Sequence, residues 1–265
     1  MKNFIKRIKK APWSYKQPLT KKPNNIGIPV SDLFVWRCSE DWNTFFELTD
    51  IASMFDDDIE IEKQFAKICL FDQNGSLFHE EQLKIYRNKK ITLDISQLTS
   101  STKSNYGTFC IFHSHSPENI IELGSFLTER GYLSFSYKKS PLRSFVHGNL
   151  DAIGQLNNGE MQLLGTKSFL SRSYSLQHQL IESSIYEIGI VNPTASTINL
   201  SCLLISSDNE VIDDQKATIQ PRGTSIFSIF KERPKDARVV IKSHLVMARP
   251  LVFRQQNNAI DVFHG

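Results

Sequence analysis

Ile68-Cys69-Leu70-Phe71-Asp72-Gln73-Asn74-Gly75-Ser76-Leu77-Phe78 reads as a strand, a polar turn and a second strand. Apolar residues run into Asp-Gln-Asn-Gly, and Asn and Gly tolerate the positive φ that a tight reversal needs. Shifted by 134 residues, the stretch lands on Cys202-Leu203-Leu204-Ile205-Ser206-Ser207-Asp208-Asn209-Glu210-Val211-Ile212. At the same shift Ile85, Leu93 and Ile95 meet Ile219, Phe227 and Ile229. Each copy continues into a third strand with alternating apolar positions.

A second block repeats at a shift of 117, where Phe135-Ser136-Tyr137 through Phe145-Val146-His147-Gly148 overlays Val252-Phe253-Arg254 through Val262-Phe263-His264-Gly265. Between the blocks, Gly107-Thr108-Phe109-Cys110-Ile111-Phe112-His113 resembles Ala237-Arg238-Val239-Val240-Ile241-Lys242-Ser243. An insertion at 114–131 accounts for the change of shift. Three blocks in one order, both copies closing on His-Gly, predict an internal duplication. Inside the insertion, Ser116-Pro117-Glu118 supplies a capping hydroxyl, a proline for the first helical position and an acid for the first turn. Ile120, Leu123 and Leu127 keep one face apolar, and Gly131 supplies a stop.

The fold expected is therefore mainly all-β: two tandem, docked β-sandwich domains of jelly-roll or immunoglobulin-like kind, with one inserted helix near 117–130. Residues 1–25 form a basic flexible arm and 26–150 the first sandwich. Residues 151–166 form a connecting hairpin around Asn157-Asn158-Gly159, and 167–265 the second sandwich.

Composition agrees with a globular chain. Of 265 residues, 40% are hydrophobic and 22% charged, which excludes disordered and fibrous classes. No apolar run reaches the roughly 18–20 residues of a membrane-spanning helix. The four cysteines show no CxxC or zinc-finger spacing. Charge is uneven. Lys2, Lys6, Arg7, Lys9, Lys10, Lys16, Lys21 and Lys22 give the first 22 residues +8 without an acid, which leaves the rest at −5. Phe4, Ile5, Ile8 and Trp13 interleave with these cations, so the arm suits an anionic membrane surface or an acidic protein. Nucleic acid is disfavoured because no basic patch recurs in the body. The location expected is cytoplasmic, with peripheral contact at the inner membrane surface as the variant. A homo-oligomer is open.

Glu187-Ile188-Gly189-Ile190-Val191-Asn192-Pro193-Thr194 ends a strand in Asn-Pro-Thr. Ile219-Gln220-Pro221-Arg222-Gly223-Thr224 and Ile241-Lys242-Ser243-His244 through Arg249-Pro250-Leu251-Val252 complete a pattern over 184–255. It resembles the soluble transducer proteins associated with sensory rhodopsins. The resemblance implies small β-sandwiches that assemble as oligomers and bind small ligands, and it carries no catalytic residue across.

Chemistry concentrates in the first half. His113-Ser114-His115 puts two imidazoles at i and i+2, one face of a strand. With Gly107, Glu118 and His147 the outline is similar to the cupin metal pattern, although Glu118 stands too close to His115. A divalent metal at His113, His115 and His147 is one reading; otherwise no cofactor is required. The other places His113 on the surface and His115 beside a helix start. Lys138 and Arg143 form a positive patch beside Tyr132 and Tyr137, near His147, and His264 is the repeat-related partner of His147. These six residues are the candidate site for a small anionic or sugar-like ligand. No Gly-x-Ser-x-Gly elbow, P-loop or dinucleotide fingerprint occurs, and Cys69 and Cys202 read as buried thiols.

Three functions follow from these features. The first is a non-catalytic binding protein for a carbohydrate-like or anionic small ligand, linked to surface-glycan metabolism. The second is a histidine-metal enzyme of sugar metabolism, and the third a structural subunit of a surface or virion assembly.

Overall fold

The computed structural model describes residues 18–25, 27–54, 64–87, 89–114, 126–138, 140–229, 234, 236–247, 249–257 and 259–265. The strands in chain order are β1 (Val30–Ser31), β2 (Phe34–Arg37), β3 (Trp42–Thr49), β4 (Phe65–Asp72), β5 (Leu77–Lys84), β6 (Lys90–Asp94), β7 (Tyr106–His113), β8 (Thr128–Glu129), β9 (Tyr132–Tyr137) and β10 (Ser144–His147). They continue as β11 (Ile153–Gln155), β12 (Met161–Leu163), β13 (Lys167–Ser175), β14 (Ile185–Val191), β15 (Ile198–Ile205), β16 (Val211–Ile219), β17 (Thr224–Ile229), β18 (Arg238–Leu245), β19 (Leu251–Gln256) and β20 (Ala259–His264).

These strands form five four-stranded sheets, ordered β2-β7-β4-β5, β10-β9-β3-β6, β12-β11-β1-β8, β13-β18-β15-β16 and β17-β14-β19-β20. Strand accounts for 56% of the described residues, in a five-bladed, propeller-like arrangement. This corrects the expectation of two tandem β-sandwiches with an inserted helix, and five sheets do not support the internal duplication from which that expectation came. The largest apolar cluster does not stop at a domain boundary: Trp42, Phe46, Phe109 and Phe135 pack together with Leu251, Phe253 and Val262 from the last two strands. A fifth sheet binds the middle of the chain to its start, since β1 pairs with β8 and β11 and Thr20 bridges to Gly165. No α-helix occurs among the described residues. Residues 117–125 of the expected helix lie outside them, and Thr128–Glu129 is strand.

Alternation explains the individual strands. Along β3, Trp42, Thr44, Phe46 and Leu48 turn inward while Asn43, Phe45 and Thr49 are only half-buried. The turn after β4 is held by Asp72, whose Oδ1 accepts from Asn74 N and Ser76 N at 2.9 Å each, with Gly75 at φ +80°. That turn also meets the second half, because Thr224 N donates to Gln73 O at 3.1 Å. Pairing of β4 with β5 shifts register between Leu70 and Phe71, and pairing of β15 with β16 shifts between Leu204 and Ile205. Asn192 is fully buried and organises its own corner, donating from Nδ2 to Ser196 O and Ile219 O at 2.9 Å each.

Candidate functional site

The antiparallel register of β9 and β10 puts Tyr132 opposite His147, so the two side chains share a face. On the other side Tyr132 faces Glu47 of β3, which itself faces Thr92 of β6. Tyr132 is 59% exposed and Phe145 53%, an aromatic surface that folding leaves in water. Arg143 joins them, its guanidinium 3.6 Å from the centre of the Phe45 ring and 3.9 Å from Glu47 Oε1. Glu47 is already balanced: Lys90 Nζ lies 3.0 Å from Oε2, and Thr92 donates to the same oxygen at 2.9 Å. Arg143 therefore retains much of its positive field for an incoming anion.

His264 comes from the far end of the chain. β20 runs beside β10, tied by Val262 N donating to Ser144 Oγ at 2.8 Å. The rings of His147 and His264 are 5.7 Å apart, inclined at 58°. His264 donates from Nε2 to His147 O at 2.7 Å, and His147 donates from Nδ1 to Gly148 O at 2.7 Å. With these nitrogens as donors, the other ring nitrogens keep their lone pairs. Burial lowers the pKa of His264, and the electrostatic influence of His147 and Arg249 pushes it the same way. His264 is thereby kept neutral more readily than a free imidazole.

Of the six residues expected to bind a ligand, Tyr132, Arg143, His147 and His264 gather here. Tyr137 and Lys138 do not. Tyr137 is at the opposite end of β9, roughly 17 Å along the strand from Tyr132, with its ring 4.8 Å from that of Trp42. Lys138 follows in a left-handed turn, φ 50°, and its ammonium lies 5.2 Å from the Tyr137 ring centre.

The expected metal trio is also divided. His113 is buried, not on the surface, and donates from Nε2 to Glu129 Oε2 at 2.6 Å. The other Glu129 oxygen accepts from Gly131 N at 2.7 Å. His115 lies outside the described residues, and His147 belongs to the junction with His264. Among the described residues no three His, Cys, Asp or Glu side chains are placed to hold a metal ion.

Two residues at the junction carry no local sequence signal. Asp32 is buried beneath the loop after β10. Its Oδ2 accepts from Asn149 N at 2.7 Å and Leu150 N at 3.1 Å, and Oδ1 accepts from Leu33 N at 2.7 Å. Burial outweighs these donors and raises its pKa to about 6. Arg249 donates from Nη1 to Asn149 O. Both line a cleft of about 60 Å³ together with His147, His264, Leu133 and Met247. That space holds a few waters or a small substituent, well short of the roughly 300 Å³ at which ordinary ligand pockets begin.

No protein-family model matches the chain, and no curated protein matches it. Among solved structures, a β-glucuronidase from Ruminococcus gnavus in complex with D-glucuronic acid superposes with a TM-score of 0.16 at 10% identity, covering 88% of this chain and 35% of that one. A β-glucuronidase from glycoside hydrolase family 2 gives 0.15 at 12% identity, covering 95% and 27%. The chain spans about a third of the length of these proteins. Superpositions this loose carry no weight for fold or activity. No described helix is long and apolar enough to cross a membrane.

Proposed function

We propose that the protein is a non-catalytic binding protein for a small, anionic, sugar-like ligand received on the face formed by Tyr132, Arg143 and His147. One observation carries the reading: Tyr132 and His147 are direct cross-strand partners on an exposed face, and His264 closes one end of it from the opposite end of the chain. A sugar presents a C–H face that packs on an aromatic ring, and Tyr132 and Phe145 offer two such rings. Its acidic group meets Arg143, a fixed cation, with the imidazole of His147 beside it. The cleft beneath is too small for a sugar ring, so the ligand lies on the face and extends at most one substituent inward. The basic arm at residues 2–22 adds attraction to an anionic membrane surface or an acidic protein.

Calorimetric titration of the full chain with galacturonate, glucose 6-phosphate and glucose tests this reading. Expected are binding of one or both acidic sugars but not glucose. Tyr132→Ala and His147→Ala should each weaken it about tenfold with the melting temperature unmoved. Equal affinity for glucose, or no loss in either variant, would refute it.

A further inference from the structure

A larger concavity lies elsewhere, on the open face of the β13-β18-β15-β16 sheet. It measures about 1270 Å³, larger than the range typical of single small-molecule pockets. An extended ligand suits that size. Pairing builds one row across it, Lys242 opposite Ser201 and Ser201 opposite Lys216. Directly opposed residues share a face, so Lys242 and Lys216 stand on the groove floor about 10 Å apart, two strand spacings. Lys167 adds a third ammonium at the end, 3.3 Å from Ser196 Oγ, and among the described residues no carboxylate lines the groove. Asp214 lies 3.4 Å from Lys216, whose side chain nonetheless stays 74% exposed. Between the cations the lining is hydroxyl and amide, from Ser171, Thr197, Asn199 and Thr218.

One rim is built rather than incidental. From Lys167 opposite Leu245 to Arg172 opposite Ser243, β13 advances five residues while β18 advances two. The surplus residues form a bulge, pinned by Arg172 Nε donating to Ser168 Oγ and His244 Nδ1 donating to Ser168 O, each at 3.1 Å. The bulge lifts Phe169 into solvent at 88% exposure, over the groove. A large aromatic side chain held out in water on a groove lined by cations calls for a ligand with both an apolar face and negative charge.

We propose that this groove binds an extended acidic glycan, a chain of sugars carrying carboxylate or sulfate groups. Phe169 stacks on one sugar ring, the lysines meet successive anionic groups, and the hydroxyl and amide side chains bond to sugar hydroxyls. A single-stranded nucleic acid fits less well. Such surfaces rely on several stacking rings and on arginine, whereas among the described residues this lining has one benzene ring, Phe169, beside an imidazole tied to Ser168 O, and no arginine.

The test uses the full chain, basic arm included, at 0.15 M salt. Fluorescence anisotropy would follow labelled heparin (sulfated), polygalacturonate (carboxylated), dextran (neutral) and oligo(dT). Comparison is between the native protein, Lys216→Ala/Lys242→Ala, Phe169→Ala, and a charge-matched control, Lys84→Ala/Lys89→Ala, outside the groove. Expected is a loss of about tenfold or more for heparin or polygalacturonate in both groove variants, with the control and the melting curves unchanged. Which acidic chain responds identifies the anionic group. Equal loss in the control, no loss in the groove variants, or a larger loss for oligo(dT) than for either glycan overturns the proposal. His147→Ala should leave glycan binding intact, so failure here and failure of the Tyr132–His147 site are distinguishable.

Discussion

Arg37 and Glu187 form a two-pronged ion pair across 150 residues of chain, Nη1 to Oε2 at 2.8 Å and Nη2 to Oε1 at 3.2 Å. Both side chains are mostly buried, at 11% and 16% exposure. The guanidinium also lies 3.9 Å from the Trp42 ring centre and 4.7 Å from that of Phe253. Gln255 Nε2 donates to Glu187 Oε2 at 2.7 Å, which helps satisfy the carboxylate. Removing one member strands the other in a largely dry site. Arg37→Met or Glu187→Met alone should cost about 3–5 kcal/mol in urea unfolding, and the double variant markedly less than the sum. Additive losses would show that the charges do not act as a pair.

Gly75 and Gly159 have nearly the same left-handed backbone, φ +80° and +85°, in different surroundings. A Cβ on Gly159 meets nothing within 4 Å, whereas one on Gly75 would stand 2.0 Å from Pro221 O. Gly159→Ala should therefore cost only the backbone penalty, about 1–2 kcal/mol. Gly75→Ala should cost clearly more, because the turn after β4 must move off residues 221–223. Equal melting temperatures for the two variants would contradict the close contact of these segments.

Leu70 and Leu204 are both core residues, 0% and 6% exposed, each next to a register shift. Truncation to alanine should cost about 2–5 kcal/mol at either site. Leu204 is the less enclosed, so its loss belongs at the lower end. Urea titration of the two single variants measures the order directly.

The hairpins were the legible part of the fold, since they depend on neighbours in sequence. Alternation through Leu70 and the Asp-Gln-Asn-Gly turn specify β4 and β5 without any distant contact. The assembly of five sheets was not legible. It rests on two-residue strands such as Val30–Ser31, too short for any periodicity, and on Trp42 packing against Phe253 at 5.4 Å. The apolar spacing of Ile120, Leu123 and Leu127 suggested a helix, but Leu127 is buried because it leads into β8. In the candidate site, His147 and His264 could be singled out by their shared His-Gly context. Asp32 and Arg249 could not, because each acts on the backbone of residues 149–150 through a non-local hydrogen bond. Phe169 left one trace: Phe169-Leu170 breaks the alternation of β13, which is how a bulge appears in sequence.

Asp32 should impose a pH dependence of unusual sign on stability. Its carboxyl has a pKa of about 6 in the folded protein against 3.8 for the ordinary side chain, because burial disfavours the charged form more than three backbone donors favour it. The folded state thus holds this proton more tightly than the unfolded state. The associated stability is fully present below pH 3.8 and is lost as pH rises to about 6, roughly 3 kcal/mol in all. His264 works the other way. Its lowered pKa means that its contribution is present above about 6.5 and is lost as pH falls through the folded value. Urea unfolding from pH 4 to 7 should therefore separate the two in difference curves. Native minus Asp32→Asn should fall with rising pH and flatten above about 6. Native minus His264→Gln should rise over the acid side and flatten above about 6.5. A native-minus-Asp32→Asn curve without slope between pH 4 and 6 would mean that the carboxyl stays ionised, its three N–H donors outweighing burial.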